Sequence, residues 1–208
     1  MKKIFFYLFT LFAPFWAIAQ QQQSAVIKVS ARAIYIDPSP TFKTTISLSG
    51  AYSSLPAEEL ALDKLKKQFK QALEAKGIPW TDLKENPNDF GYETMSYNKE
   101  GTIYEYATNS KVYMKKFLEI KTLGVQVLNA ISIITIDTKE AEKLSKIALE
   151  KATKRALTIA NVMGKELGEI QEVEDINNRW GDEVEAYLHY STPSGQYIHT
   201  INVIFKVK

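Results

Sequence analysis

The stretch ALEKATKRALTIANVMGKELGEIQEVED, residues 148–175, decides the fold class. Ala148, Ala152, Ala156 and Ala160 recur in steps of four, and Ala141, Leu144, Ile159, Met163 and Leu167 extend the same apolar face at 3.6 residues per turn. The spacing predicts a helix from about Lys139 to Leu167, with Thr138 as its cap and Gly168 supplying its left-handed end. Small side chains in a row let a helix backbone approach a sheet or a second subunit closely. Arg155 falls near the middle of this face. Either its stem lies over apolar surface with the guanidinium at the rim, or it forms an ion pair between elements or subunits. Glu169 to Asp175 reads as a strand leaving the helix.

Around this segment the pattern is mostly β. Ala25 to Ile36 alternates, with Val26, Lys28, Ser30 and Arg32 opposing Ile27, Val29, Ala31 and Ala33. Asp37-Pro38-Ser39-Pro40 breaks this strand, and Thr41 to Ser49 forms a second one. An earlier helix is predicted from Pro56, with Ser53 and Ser54 as cap candidates and Glu58 and Glu59 in its first turn. Its apolar stripe is Ala61, Leu62, Leu65, Phe69, Ala72 and Leu73, and Gly77 with Pro79 stops it. Trp80 to Asn88 reads as a turn. Thr102, Tyr104, Tyr106 and Thr108 share one face of a strand. Phe117 to Ala130 fits neither period cleanly and is read as a short helix ahead of a strand at Ile131 to Ile136. Val184 to Tyr190 and Gln196 to Val207 flank Ser191-Thr192-Pro193-Ser194-Gly195 and are expected to form a hairpin. In the last strand, Tyr197, His199, Ile201, Val203, Phe205 and Val207 are expected in the core. These elements predict an α+β fold: antiparallel sheets with two long helices packed on them, an order compatible with two similar β-helix-β halves.

The front of the chain determines where the protein is expected to work. Met1-Lys2-Lys3, the apolar run Ile4 to Ile18 and the Ala17-Ile18-Ala19 pattern have the three parts of a secretory signal. The run is shorter than a bilayer span and contains Pro14. Residues 1–19 are therefore read as a signal peptide cleaved after Ala19, and 20–24 as a polar leader without reason to be ordered. The mature chain, 25–208 in its structured part, is expected to be exported, periplasmic and soluble, with no later membrane span. Removing Lys2 and Lys3 takes the 26 basic residues to 24, equal to the 24 acidic ones. A neutral chain lacks the charge footprint of nucleic-acid binding or polybasic membrane attachment. Cysteine is absent, which removes disulfides, thiolate metal sites, a cysteine nucleophile and the acylated cysteine of a lipoprotein.

Catalytic patterns are sparse. No serine sits in a nucleophile elbow, and no glycine run resembles a phosphate loop or dinucleotide fingerprint. No cofactor is implied, and a non-enzymatic role is the leading expectation. Tyr92, Tyr104 and Tyr106 head a tyrosine-rich region that reads first as a half-buried sheet face and second as a platform for a small ligand. A hairpin symmetric about Ser194 would set His189 opposite His199, which makes the two imidazoles weak metal candidates without an evident third ligand.

Ala148, Ala152, Arg155-Ala156, Ala160, Gly164, Leu167-Gly168, Ile170 and Val173, together with the Gly77-Ile78 step and the closing Val203-Ile204-Phe205, resemble the SIMPL-domain family, the former domain of unknown function 541. The resemblance spans nearly the whole mature chain, 25–208. One departure is Ser30-Ala31-Arg32, where the family often carries a glycine-containing turn. The resemblance implies an exported bacterial envelope protein without known catalytic residues, in some members a ring-like homo-oligomer and in some linked to envelope or oxidative stress. Self-association is accordingly expected, with the alanine face, Arg155 and Gly164 or an open sheet edge as contact surface. The alternative expectation is a periplasmic small-molecule-binding module built on the tyrosine-rich strands. A metal-dependent enzyme on the histidine hairpin is a third.

Overall fold

A computed structural model describes residues 25–52, 61–86, 100–177, 181–189 and 191–208. The signal and leader, the start of the first predicted helix (Ser53, Ser54, Pro56, Glu58 and Glu59), and Tyr92 lie outside the described residues. In chain order the elements are β1 (Val26–Ile36), β2 (Thr41–Ser49), α1 (Leu62–Ala75), β3 (Leu83–Asn86), β4 (Gly101–Thr108), α2 (Lys111–Leu118), β5 (Val125–Thr135), α3 (Thr138–Val162), β6 (Leu167–Asp175), β7 (Glu183–Tyr187) and β8 (Gln196–Val207). Two antiparallel sheets carry the helices, so the chain is α+β. The described residues divide into two compact units, those of 25–31, 148–176 and 200–208 in one and those of 32–147 with 177–199 in the other.

The first unit is built on a three-stranded sheet ordered β1-β8-β6. Ile27, Val29, Val203 and Phe205 are buried, as the alternation in each strand requires. Ala148, Ala152, Ala156 and Ala160 are fully buried as well. Their methyl groups allow α3 to lie close on the sheet. Val173 stands opposite Val203 and Glu174 opposite Asn202, so β6 turns Ile170 and Val173 to the helix side and Glu172 and Glu174 to the other. Gly168 sits at an irregularity in this pairing, where a Cβ would come within 2.9 Å of the Lys206 carbonyl oxygen.

The helix ends earlier than its apolar pattern predicts. Asn161 accepts from Gly164 N, Ala160 accepts from Lys165 N at 3.0 Å, and Gly164 takes φ 64°. Gly164, not Gly168, is thus the left-handed stop, because the apolar period runs on into residues that already belong to the strand. At the other end Asp137 does the capping expected of Thr138, its Oδ1 accepting from Glu140 N at 2.7 Å.

The second unit carries a five-stranded sheet ordered β3-β4-β2-β5-β7. Leu65, Phe69 and Leu73 of α1 and Met114 and Phe117 of α2 pack against Phe42, Ile46, Leu48, Tyr104 and Tyr106. Phe69 meets Trp80 and Phe117 edge-on, each at 6.1 Å, and Phe117 stacks on Tyr106 at 4.6 Å. Gly77 stops α1 as predicted, with φ 74° and Ile78 N donating to Leu73 O.

Three expectations are overturned in this unit. The segment from Phe117 to Ala130 is not a short helix: α2 ends at Leu118, Gly124 turns the chain at φ 76°, and β5 begins at Val125 against Leu48. Val127 and Leu128 are both exposed, so burial does not alternate there and no period marks the strand. Within the expected turn, Leu83 to Asn86 forms β3, an edge strand with little apolar content paired to β4. The hairpin between the last two strands does not form. β7 pairs with β5, Ile131 opposite Tyr187, and Leu188 N extends that ladder to Ala130 O, whereas β8 joins the other sheet.

Candidate functional site

Chemistry-bearing side chains gather at three places. The first surrounds His199, which β8 turns inward and which is 1% exposed. Asn177 Nδ2 approaches its Nδ1 at 3.0 Å and the Tyr197 hydroxyl does so at 3.4 Å. Ser145 Oγ lies 3.1 Å from its Nε2. Ser145 also donates to the Ala141 carbonyl at 2.9 Å, one helical turn back. An amide N–H on Nδ1 requires a lone pair there, so the ring proton resides on Nε2 and is donated to Ser145 Oγ. A serine nucleophile needs the reverse, an Nε2 lone pair accepting the hydroxyl proton. The network therefore holds a buried imidazole rather than activating a serine.

His189 lies elsewhere. It follows β7, and Ser191 binds its Nδ1 through the backbone N–H at 3.2 Å and the hydroxyl at 2.7 Å. With β7 and β8 in different sheets, the symmetric hairpin that would face it with His199 is not formed. Among the described residues no group of three His, Asp or Glu side chains is placed to hold a metal ion.

Tyr104 and Tyr106 are each 3% exposed and belong to the aromatic core beneath α1 and α2. Burial raises the pKa of both hydroxyls. Beside Tyr104, Glu85 accepts from Lys66 Nζ at 2.9 Å and from the Thr102 hydroxyl at 2.7 Å. These two bonds, Lys66 first, hold the Glu85 carboxyl below its ordinary 4.5.

The second place is a cleft of about 540 Å³ between α2 and the segment after β7, lined by Phe42, Met114, Leu118, Leu188 and Pro193 with Lys111, Lys115 and His189 among its polar groups. Sequence reading missed it because it places Phe42, residues of α2 and residues 188, 189 and 192–194 side by side. Its one local signal was Lys111-Met114-Lys115-Leu118, a cationic row beside an apolar row at helical spacing.

The third place is the β1-β8-β6 sheet with α3. The alanine row is occupied within the chain. Arg155 is exposed and donates from Nη1 to the Ser30 carbonyl at 3.2 Å. Ala25 accepts from Val207 N and Asp37 donates to Gly195 O, so odd-numbered residues of β1 address β8 and Ser30 points its carbonyl to the outer edge. Arg155 thus covers an edge carbonyl, in keeping with a stem over apolar surface and the head at the rim. Among the described residues β6 is hydrogen-bonded on one side only. Ile170 and Val173 on its helix side are 42% and 52% exposed, and Leu157, on the flank of α3 opposite Arg155, is 47% exposed. No described helix is long and apolar enough to cross a membrane.

The model of a family described as SIMPL, a protein of unknown function (DUF541), matches residues 44–197. No curated protein matches the chain.

Proposed function

The chain belongs to the SIMPL family, and from that premise we propose that it is a non-enzymatic, exported envelope protein that self-associates. Export rests on the charged start, apolar run and Ala17-Ile18-Ala19 end of the first 19 residues. The non-enzymatic reading rests on His199, whose hydrogen bonds leave no base for Ser145. A place in envelope or oxidative stress follows from the family resemblance.

The observation that carries self-association is the contrast between the two edges of the first sheet. β6 brings Glu169, Glu172, Glu174 and Asp175 and no basic residue, with Ile170 and Val173 exposed among them. β1 brings Lys28 and Arg32 and no acidic residue, with Arg155 reaching its edge. Two copies of the β6 edge repel each other. A β6 edge set against the β1 edge of another copy pairs opposite charges on the helix-free face and covers Ile170 and Val173 on the other. Such a contact is head-to-tail, and it closes into a ring where its rotation permits.

Sedimentation velocity of the mature chain at micromolar concentration tests the proposal. Association that weakens as salt is raised is expected, and Glu172→Lys with Glu174→Lys is expected to leave monomer. Wild-type protein that sediments as monomer throughout would refute it.

A further inference from the structure

The cleft beside α2 lies apart from the β6 and β1 edges on which the proposed self-association rests, and its lining is of another kind. Met114 and Leu118 form one row of α2 facing it, and Phe42, Leu188 and Pro193 complete an apolar floor and wall. Lys111 and Lys115 stand one turn apart on the adjoining row. Among the described residues the one carboxylate in the lining is Glu119, which lies 3.5 Å from Lys76 and 3.9 Å from Lys115, so its charge is met from outside the cleft as well as within. Two ammonium groups against one shared carboxylate leave a positive balance at one side of an apolar space. The opposite wall adds donors. Nδ1 of His189 accepts from Ser191 N, which puts the ring proton on Nε2, and Thr192 and Ser194 bring hydroxyls.

A space of about 540 Å³ has the size of a small-molecule site. Its apolar part suits a flexible hydrocarbon. Its polar part suits a single negative charge, since one net cation with neutral donors matches a carboxylate better than a dianion. We infer that the cleft between α2 and residues 188, 189 and 192–194 binds a single-chain amphiphile with a carboxylate head, the chain lying on Met114, Leu118 and Leu188 and the head at Lys111 and Lys115.

Isothermal titration calorimetry of the mature chain with decanoate, kept below its micelle concentration, tests this. Saturable binding at one site per chain is expected, with decanol about tenfold weaker and decyltrimethylammonium weaker still. Lys111→Gln with Lys115→Gln, both exposed positions, should bring decanoate down to the affinity of decanol and leave decanol unchanged. Leu118→Glu should remove binding of both. The inference is overturned if decanoate does not saturate, if decyltrimethylammonium binds as well as decanoate, or if the double lysine variant binds decanoate like the wild type. Binding to phosphatidylglycerol vesicles without binding of monomeric decanoate would overturn it too, by assigning the basic row to a membrane surface.

Discussion

Removing the imidazole of His199 would strand polar partners on both sides of the ring, because Asn177 and Tyr197 donate to Nδ1 and Nε2 donates to Ser145. His199→Ala adds a cavity to those losses. An expected cost of about 2–4 kcal/mol in unfolding free energy follows, measured as a fall in the urea midpoint. Ser145→Ala, by contrast, removes one acceptor at an exposed helix position and is expected to cost about 1 kcal/mol or less. A second residue-scale expectation concerns acid. The Glu85 carboxyl titrates below 4.5 in the folded chain because of Lys66 and Thr102. Its contribution to stability is therefore complete above that ordinary value and disappears as pH falls through the lower folded value. Glu85→Gln should lower stability at neutral pH and flatten the acid limb, with variant and wild type converging as pH falls below 4.5. The side chain is 44% exposed, so the effect is expected to stay below about 1 kcal/mol. The burial of His199 was legible in the alternation of the last strand, but its partners Asn177 and Ser145 were not, being distant in the chain, and Glu85 stood in an expected turn.

Among the elements, α3 was the most readable. Four alanines in steps of four announce a close approach, and all four are fully buried. Ala156→Leu should therefore overpack the helix against the sheet and cost about 1–3 kcal/mol, read from the same urea midpoint. A leucine in the wild type at the exposed position 157 shows that bulk itself is tolerated on this helix when it points outward. β1 and β8 were equally readable, since each buries every second residue. β5 was not. Its first turn of pairing carries Val127 and Leu128 both exposed, and a strand without a one-sided environment has no two-residue period to detect. β3 was obscured for a related reason, as Leu83-Lys84-Glu85-Asn86 holds its place by edge pairing to β4 rather than by apolar content.

At the scale of the whole molecule, head-to-tail association makes the melting temperature depend on protein concentration, a second reading of the assembly proposed for the β6 and β1 edges. The neutral total charge expected if the proposed signal is removed with Lys2 and Lys3 is compatible with this, because charge is segregated between two edges of one sheet rather than summed over the chain. By itself the sequence determined the α+β class, the long alanine-faced helix, the alternating first and last strands and the family. Each of these is written in residues a few positions apart, within reach of one helical turn or one strand. Only the tertiary structure decided that β7 leaves β8 for β5, that Gly164 ends the long helix, and that Phe42, Lys111 and Pro193 border one cleft. Strand partners and cleft walls are chosen by competition among segments far apart in the chain, and no local period records which competitor gains the most buried surface and ladder bonds.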